Sequence, residues 1–168
     1  RDKTLENIFR ADIDVRMLEE KMHILEKIPL SLPFGEIRRQ LHLKRGAHWD
    51  EVKTLIQTVL PDIRAKAVYR VCYIDEKQDQ LIGIDGVRFR SRVLAKNLAA
   101  VERVFPFVVT IGSHYLEQMD AQKDLVVKYY LDVIGNIALS NVRNYLEQTL
   151  QAGYGLEGMS YMSPGSLT

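Results

Sequence analysis

Cysteine is almost absent from this sequence, because Cys72 is the only one among 168 residues. A single thiol cannot form an internal disulfide framework, and this chain alone cannot supply the ligands of a zinc cluster or an iron–sulfur centre. Such cysteine usage is typical of a reducing compartment, so we expect a cytoplasmic protein. Cys72 lies between Val71 and Tyr73, and we interpret it as a small buried hydrophobic residue.

An excess of charge of one sign and a long apolar run are missing as well. The 23 basic and 22 acidic residues give a formal net charge of +1, which offers no electrostatic argument for a nucleic-acid or anionic-membrane partner. The longest apolar runs, such as residues 104–111, are too short to span a bilayer. We therefore expect neither a nucleic-acid partner nor a membrane span.

The common short motifs of enzymes and metal sites are also missing. The sequence contains no Walker A motif, no G-x-G-x-x-G opening a helix, no H-E-x-x-H and no C-x-x-C. Of the four histidines only His42 and His48 are close in sequence, and two ligands are fewer than a protein metal site needs. The sequence therefore predicts neither a catalytic residue nor a metal site.

The length and the ordinary composition, 46% apolar and 27% charged, predict a single domain over residues 1–168. In its first part, apolar side chains spaced by three or four residues predict helices over 12–28, 34–43 and 49–60. Pro61 cannot continue the third helix. Residues 1–50 are therefore expected to be a helical N-terminal part.

The middle of the chain is rich in β-branched and aromatic residues. Residues 67–74 and 80–90 predict two strands, joined as a hairpin through the polar residues 75–79. A helix is predicted over 92–103, and the apolar run 104–111 predicts a buried strand.

Two further helices are predicted over 114–120 and 122–150, with Ser113 as the N-cap of the first. Residues 153–168 are predicted to be loop or short strand. Because the order of elements is not a regular βαβ alternation, we predict an α+β fold.

The longest predicted helix carries a polar stripe. Lys128, Asp132, Asn136 and Ser140 follow one another at intervals of four residues and therefore share one face. The stripe is interpreted either as a solvated face with Lys–Asp pairing or as a binding surface. Gly135 lies inside this helix at a cost of roughly 1 kcal/mol relative to alanine, which indicates that protein or ligand packs closely there.

Glycine and proline are concentrated near the C-terminal end. Residues 153–158 contain three glycines, which form either a flexible linker or a backbone wall against a ligand. Ser163-Pro164-Gly165-Ser166 has proline and glycine at the second and third positions that favour a β-turn.

Several segments taken together are more specific than any one of them. In order they are Ala67-Val68-Tyr69-Arg70-Val71, Gly83–Phe89, Arg92–Ala95, Thr110-Ile111-Gly112, Leu131-Asp132-x-x-Gly135 and Ser163-Pro164-Gly165. This succession resembles the activation domain of vitamin B12-dependent methionine synthase, in its short stand-alone bacterial form. The resemblance covers roughly residues 50–168 and rests on the order of the segments.

The resemblance implies a single α+β domain with a twisted antiparallel sheet flanked by helices, one of them a long C-terminal helix. It also implies a role in methionine biosynthesis. Such a domain binds S-adenosylmethionine and docks on a corrinoid-binding protein or domain. It supports reductive methylation of the cobalamin that this partner carries, with electrons from a flavodoxin-type donor.

Carried over position by position, the resemblance implies that the methyl donor contacts two groups of residues, Tyr161, Ser163, Pro164, Gly165 and Ser166 near the C-terminus and Asp132, Asn136 and Ser140 on the long helix. Three of them depart from the family pattern: Tyr161 replaces a carboxylate-binding Arg, Ser166 a Tyr, and Ser140 a Glu. A phenol cannot supply a bidentate cationic fork. The departures favour an alternative, a non-enzymatic relative that binds a corrinoid protein and has lost the methyl-donor site.

Overall fold

The computed structural model of the protein describes residues 22–44 and 46–163, without the side chain of Ala47. The described helices are α1 (Phe34–Gln40), α2 (Ala47–Val59), α3 (Arg92–Asn97), α4 (Ser113–Ala121) and α5 (Leu125–Tyr154). The described strands are β1 (Met22–Leu25), β2 (Lys66–Arg70), β3 (Cys72–Gln78), β4 (Leu81–Ile84), β5 (Val87–Arg90), β6 (Arg103–Val104) and β7 (Phe107–Thr110). This mixture of helices and antiparallel strands confirms the predicted α+β class.

The strands are divided between two sheets, with the orders β1-β2-β7 and β5-β4-β3-β6. The described residues also fall into two compact units. The hairpin unit comprises residues 22–23, Tyr69–Phe107 and 160–163, and the helical unit comprises Ile24–Val68 and Val108–Met159. The single domain over residues 1–168 stays a prediction.

The N-terminal helix predicted over 12–28 is wrong where the structure describes it, because Met22–Leu25 forms strand β1. Residues 12–21 lie outside the described residues. The apolar spacing in this stretch fits both a helix and a strand, and pairing in the β1-β2-β7 sheet favours the strand. Lys66 Nζ of β2 donates to the Glu26 carboxylate just beyond β1, at 2.7 Å.

The two strands predicted as one hairpin are four strands in the structure. Residues 67–70 lie in β2 of the other sheet, and β3, β4 and β5 form an antiparallel meander. The predicted turn over 75–79 is wrong, because β3 continues to Gln78 and pairs there with Leu81. The predicted strand over 80–90 is also interrupted, by a two-residue turn at Asp85 and Gly86. Both turn residues have positive φ angles, 46° and 77°, and Asp-Gly is a strong sequence signal for this hairpin turn.

A β-bulge in β3 turns one acidic side chain toward the hairpin. Ile74 pairs with Ile84 and Glu76 with Gly83, so that Asp75 is the extra residue. The Asp75 carboxylate lies over Gly83 and accepts a hydrogen bond from the backbone N–H of Gly86. Asp75 therefore fixes both the bulge and the next turn.

The core of the hairpin unit lies between its sheet and α3. Ile82, Leu94 and Leu98 are buried together, and five partly buried residues pack against them: Ile74, Ile84, Val101, Val104 and Met162. The N-cap of helix α3 is Ser91, whose Oγ accepts from the backbone N–H of Leu94 at 3.2 Å.

Helix α3 is shorter than predicted, and the strand after it is split. The helix predicted over 92–103 ends at Asn97, because Arg103 and Val104 pair with β3 as strand β6. The single strand predicted over 104–111 is interrupted at Pro106, which has no backbone N–H for a ladder.

Helix α5 is the longest element of the helical unit and confirms the predicted long C-terminal helix. It spans 30 residues, and its N-cap is Asp124, whose carboxylate accepts from the N–H groups of Val126 and Val127 at 2.8 and 3.3 Å. Its C-cap is Gly155, which has a φ of 62°. No helix among the described residues is long and apolar enough to cross a membrane.

The predicted cap of the preceding helix is wrong. Helix α4 begins at Ser113 itself, and Gly112 with a φ of 95° occupies the cap position without a side-chain hydrogen bond. Gly112 lies close to Arg64, whose backbone N–H donates to Ile111 O at 2.8 Å. Glycine is therefore required for both the conformation and the close approach.

We predict that Gly83→Ala destabilises the protein by about 1–3 kcal/mol. A methyl group at this position would overlap Oδ1 of Asp75 and lie 2.8 Å from Cβ of Glu76. The control is Gly158→Ala, because nothing lies within 4 Å of a methyl group there. Urea unfolding measures both variants.

Adding Asp75→Ala to Gly83→Ala should cost less than the sum of the two single changes, because the carboxylate that meets the new methyl group is gone. Strict additivity of the two effects in the same unfolding assay would contradict the overlap.

Candidate functional site

Five of the eight predicted site residues are described, and they belong to both compact units. Asp132, Asn136 and Ser140 lie on α5 in the helical unit. Tyr161 and Ser163 belong to the hairpin unit. The remaining three, Pro164, Gly165 and Ser166, lie outside the described residues.

The structure brings Asp132 and Asn136 together. Both side chains are exposed, and Asn136 Nδ2 donates to Asp132 Oδ2 at 3.2 Å. Ser140 follows one turn later and is half-buried. The exposed carboxylate and amide of Asp132 and Asn136, named here the α5 polar pair, can accept and donate hydrogen bonds to a polar ligand.

The expected Lys–Asp pairing along this stripe is wrong. Lys128 Nζ reaches the Asp120 carboxylate at the end of α4, at 3.2 Å. The ion pairs of the described residues include none with Asp132, so its carboxylate keeps an uncompensated negative charge at the surface.

Gly135 faces the protein interior, which settles why a glycine lies inside this helix. A Cβ at this position would stand 3.0 Å from Cε1 of Tyr115 and 3.5 Å from Cδ1 of Ile111. Tyr115 is 1% exposed, and its hydroxyl donates to the backbone oxygen of Leu131 at 2.6 Å. The close packing predicted at Gly135 therefore comes from the protein itself.

Tyr115 is a residue that sequence reasoning missed. Burial raises the pKa of its phenol well above the ordinary value of 10.0, and the nearby negative charge of Asp132 raises it further. The carboxylate of the α5 polar pair thus acts electrostatically on a phenol that is buried against α5. The one signal in the sequence that could have pointed to Tyr115 is its position in the first turn of α4, two residues after Gly112-Ser113.

Tyr161 and Ser163 flank a residue that is anchored in the hairpin unit. Met162 packs against the core of Ile82, Leu94 and Leu98, whereas Tyr161 is 56% exposed and Ser163 is exposed. The phenol of Tyr161 is therefore accessible to solvent and can donate one hydrogen bond or accept one.

The glycines of residues 153–158 have structural roles that differ from a simple linker. Gly153 lies within the last turn of α5, and Gly155 provides the left-handed C-cap. The backbone N–H groups of Gly155 and Leu156 both donate to Gln151 O. Gly155 therefore ends the helix, which corrects the prediction that residue 153 begins a loop or strand.

The described histidines and the cysteine lie in separate surroundings. His42 has a φ of 53° in the turn after α1, and His48 pairs with Glu51 of its own helix at 3.5 Å. Cys72 is 4% exposed, which confirms that it is buried. Among residues 22–44 and 46–163, no three His, Cys, Asp or Glu side chains converge as a metal site needs.

One acid–histidine cluster lies at the surface of the helical unit. His114 Nε2 is 3.7 Å from Asp62 Oδ1, and Gln118 Nε2 donates to Asp62 Oδ2 at 2.9 Å. Since both side chains are partly exposed, at 61% and 31%, we interpret the cluster as a polar surface contact between the 3₁₀ turn at Leu60–Asp62 and α4.

A shallow groove of about 440 Å³ runs between α2 and α5. Its lining is mostly apolar and consists of Glu51, Thr54, Leu55, Thr58, Val127 and Tyr130. Asp132 and Asn136 are not among these residues, because they project from another side of α5. Few polar groups are available there to orient a small molecule, so the groove does not by itself support a ligand site.

Comparison of the chain with protein-family models and with curated proteins gave no match.

We predict that Gly135→Ala and Gly153→Ala, two changes in the same helix, have opposite effects. Alanine favours a helix by roughly 0.5–1 kcal/mol over glycine, and nothing lies within 4 Å of Gly153 to oppose it. At Gly135 the new methyl group meets the ring of Tyr115, which its own hydrogen bond holds in place. We expect a net loss of about 1–2 kcal/mol there. A stabilised Gly135→Ala variant in thermal unfolding would contradict this packing.

Removal of the buried phenol should change the alkaline stability of the protein. Tyr115→Phe should cost about 1 kcal/mol at neutral pH, because one buried hydrogen bond is lost. The raised pKa of Tyr115 keeps the folded phenol protonated, so this stabilisation is complete below pH 10.0 and declines above it as the unfolded phenol ionises. The advantage of the wild type should therefore shrink by up to about 1.4 kcal/mol per pH unit above about pH 10. Urea midpoints at a series of pH values measure it, and a constant difference up to about pH 11 would refute the shift.

Proposed function

We propose that this chain is a reactivation module of a cobalamin-dependent methionine synthase or related corrinoid methyltransferase. In this role it binds S-adenosylmethionine and docks on a corrinoid-binding partner. The partner's cobalamin is reduced by a flavodoxin-type donor and methylated from S-adenosylmethionine. The module positions the methyl donor and supplies no acid–base pair of its own.

The observation that carries the proposal is the ordered succession of segments resembling the activation domain. Residues 67–71 contribute most of strand β2, and residues 83–89 contain the Asp85-Gly86 hairpin turn. Residues 92–95 form the first turn of α3, and residues 110–112 lead from β7 into α4. The α+β class and the long C-terminal helix agree with the fold that the resemblance implies.

Three glycines within these segments have packing reasons. Gly83 lies under Asp75, Gly112 lies against Arg64, and Gly135 lies against Tyr115. These contacts concern the fold of the chain and not a ligand. The segments therefore support the fold part of the proposal, and the ligand part depends on the exposed polar residues.

The α5 polar pair is the described feature most suited to the methyl donor. S-adenosylmethionine carries an ammonium group, a sulfonium group and ribose hydroxyls, all of which an exposed carboxylate attracts or accepts hydrogen bonds from. Asp132 has this carboxylate without a cationic partner among the described residues, and Asn136 holds it at 3.2 Å. Tyr161 stands where the resemblance expects the Arg that binds the ligand carboxylate, and a phenol can form one hydrogen bond to such a group.

A second candidate function is favoured by Tyr161 itself. The resemblance expects an Arg at this position, and a phenol lacks both its charge and its second donor. In the alternative, the chain is a non-enzymatic relative that holds a corrinoid protein in a reducible conformation without a methyl donor.

Calorimetry with S-adenosylmethionine tests the methyl-donor site. Wild-type protein should bind the compound, and Asp132→Ala should weaken binding roughly tenfold, because a hydrogen bond to a charged group contributes about 1.5 kcal/mol. Gln148→Ala, an exposed change on the same helix, is the matched control and should leave the affinity unchanged.

Tyr161→Arg separates the two candidate functions. If Tyr161 contacts the ligand carboxylate, the bidentate cation should tighten binding by roughly tenfold or more, and Tyr161→Phe should weaken it. If neither wild type nor Tyr161→Arg binds at about millimolar ligand, which corresponds to about −4 kcal/mol, the methyl-donor role is rejected. Capture of a cobalamin-loaded corrinoid domain without S-adenosylmethionine would then support the alternative, and failure to capture it would reject both.

A further inference from the structure

Strand β5 forms one edge of the sheet in the hairpin unit. The order β5-β4-β3-β6 leaves β5 paired on one side only within the described part of the chain. Three of its four residues, Arg88, Phe89 and Arg90, are exposed. An exposed edge presents unpaired backbone N–H and C=O groups, to which another extended chain can pair.

The turn geometry identifies the backbone groups at this edge. Ile84 and Val87 flank the two-residue turn and are paired across it, and in such a hairpin these flanking residues exchange both of their hydrogen bonds. Alternate residues of β5 therefore point their N–H and C=O groups away from β4. These residues are Arg88 and Arg90.

The same edge is strongly basic. Residues 88–96 contain four cations and no acid: Arg88, Arg90, Arg92 and Lys96. Arg88 Nε pairs with Glu76 at 2.7 Å. The ion pairs of the described residues include none with the other three, so a concentrated positive charge is left exposed although the whole chain carries only +1.

Apolar side chains alternate with these cations. Phe89 pairs with the buried Ile82 across the hairpin, so it projects to the core side of the sheet, opposite to Arg88 and Arg90. Phe89 is nevertheless 38% exposed, and Val93 at the start of α3 is 39% exposed. An added strand would cover the exposed part of Phe89 on one face and meet the arginines on the other.

We propose that the edge of β5, together with Arg92 and Lys96, binds an extended acidic peptide segment by strand addition. The segment that fits alternates acidic with apolar side chains, so that the acids oppose Arg88 and Arg90 and the apolar residues lie beside Phe89. A basic segment is repelled at this edge, which gives the selectivity for an acidic one. This surface is separate from the methyl-donor proposal and does not depend on it.

The probe is a capped synthetic peptide of alternating Glu and Val, with a Lys–Val peptide of the same length as its charge-reversed control. Titration into the isotopically labelled protein should move the backbone amide resonances of Arg88 and Arg90 and the ring resonances of Phe89. Binding should weaken as NaCl rises from about 0.1 M to about 1 M, because exposed charges are screened. The Lys–Val peptide should not bind.

Variants distinguish charge from backbone pairing. Arg90→Glu with Arg92→Glu should weaken binding about tenfold or more, whereas Arg39→Glu with Lys44→Glu, which changes exposed cations of the helical unit, should not. Arg90→Pro, which removes an outward N–H, should weaken binding more than Arg90→Gln.

Three results would overturn the proposal. They are equal binding of the two peptides, resonance changes that lie elsewhere than residues 88–92, and an unchanged affinity of the doubly reversed Arg90 and Arg92 variant. The proposal would also be overturned if a single-stranded oligonucleotide bound more tightly than the Glu–Val peptide at equal salt. The partner of this edge would then be a nucleic acid.

Discussion

The contact of Tyr115 with α5 is the constraint on which the helical unit most depends. A fully buried phenol must hydrogen-bond, and it does so to the backbone of Leu131. The ring can reach that oxygen only because Gly135, one turn later, has no side chain. With this side of α5 fixed against α4, the neighbouring side, which carries Asp132 and Asn136, is presented to solvent. The buried hydrogen bond of Tyr115 and the exposure of Asp132 and Asn136 are thus consequences of one packing arrangement.

In the hairpin unit, acidic side chains hold the backbone of the meander in place. Asp75 occupies the space above Gly83 and accepts from Gly86, and Asp85 accepts from the backbone of Tyr73 at 2.9 Å. These carboxylates are used by the backbone of the meander, and Glu76 is used by Arg88. These acids therefore lie together at one part of the sheet, while the ion pairs of the described residues include none with Arg90, Arg92 or Lys96 near the β5 edge.

The functional proposal depends on different residues from the fold. Packing against protein explains the glycines that contribute to the likeness to the activation domain. Those glycines are therefore evidence about the fold of the backbone and not about a ligand. Ligand binding depends instead on the exposed pair Asp132 and Asn136 and on Tyr161, where the resemblance expects a guanidinium. One substitution at residue 161 therefore separates the two candidate functions more sharply than any feature of the core.

The α+β class, the presence of helices after residue 34 and the long C-terminal helix follow from the sequence alone, because apolar spacing is a property of neighbouring residues. The Asp85-Gly86 turn was also readable locally, although the prediction ran one strand through it. Only the tertiary structure decided that Met22–Leu25 is a strand, that Asp75 forms a bulge over Gly83, and that protein rather than ligand packs on Gly135. Each of these depends on which distant segment arrives beside the residue, and local periodicity contains no information about that partner.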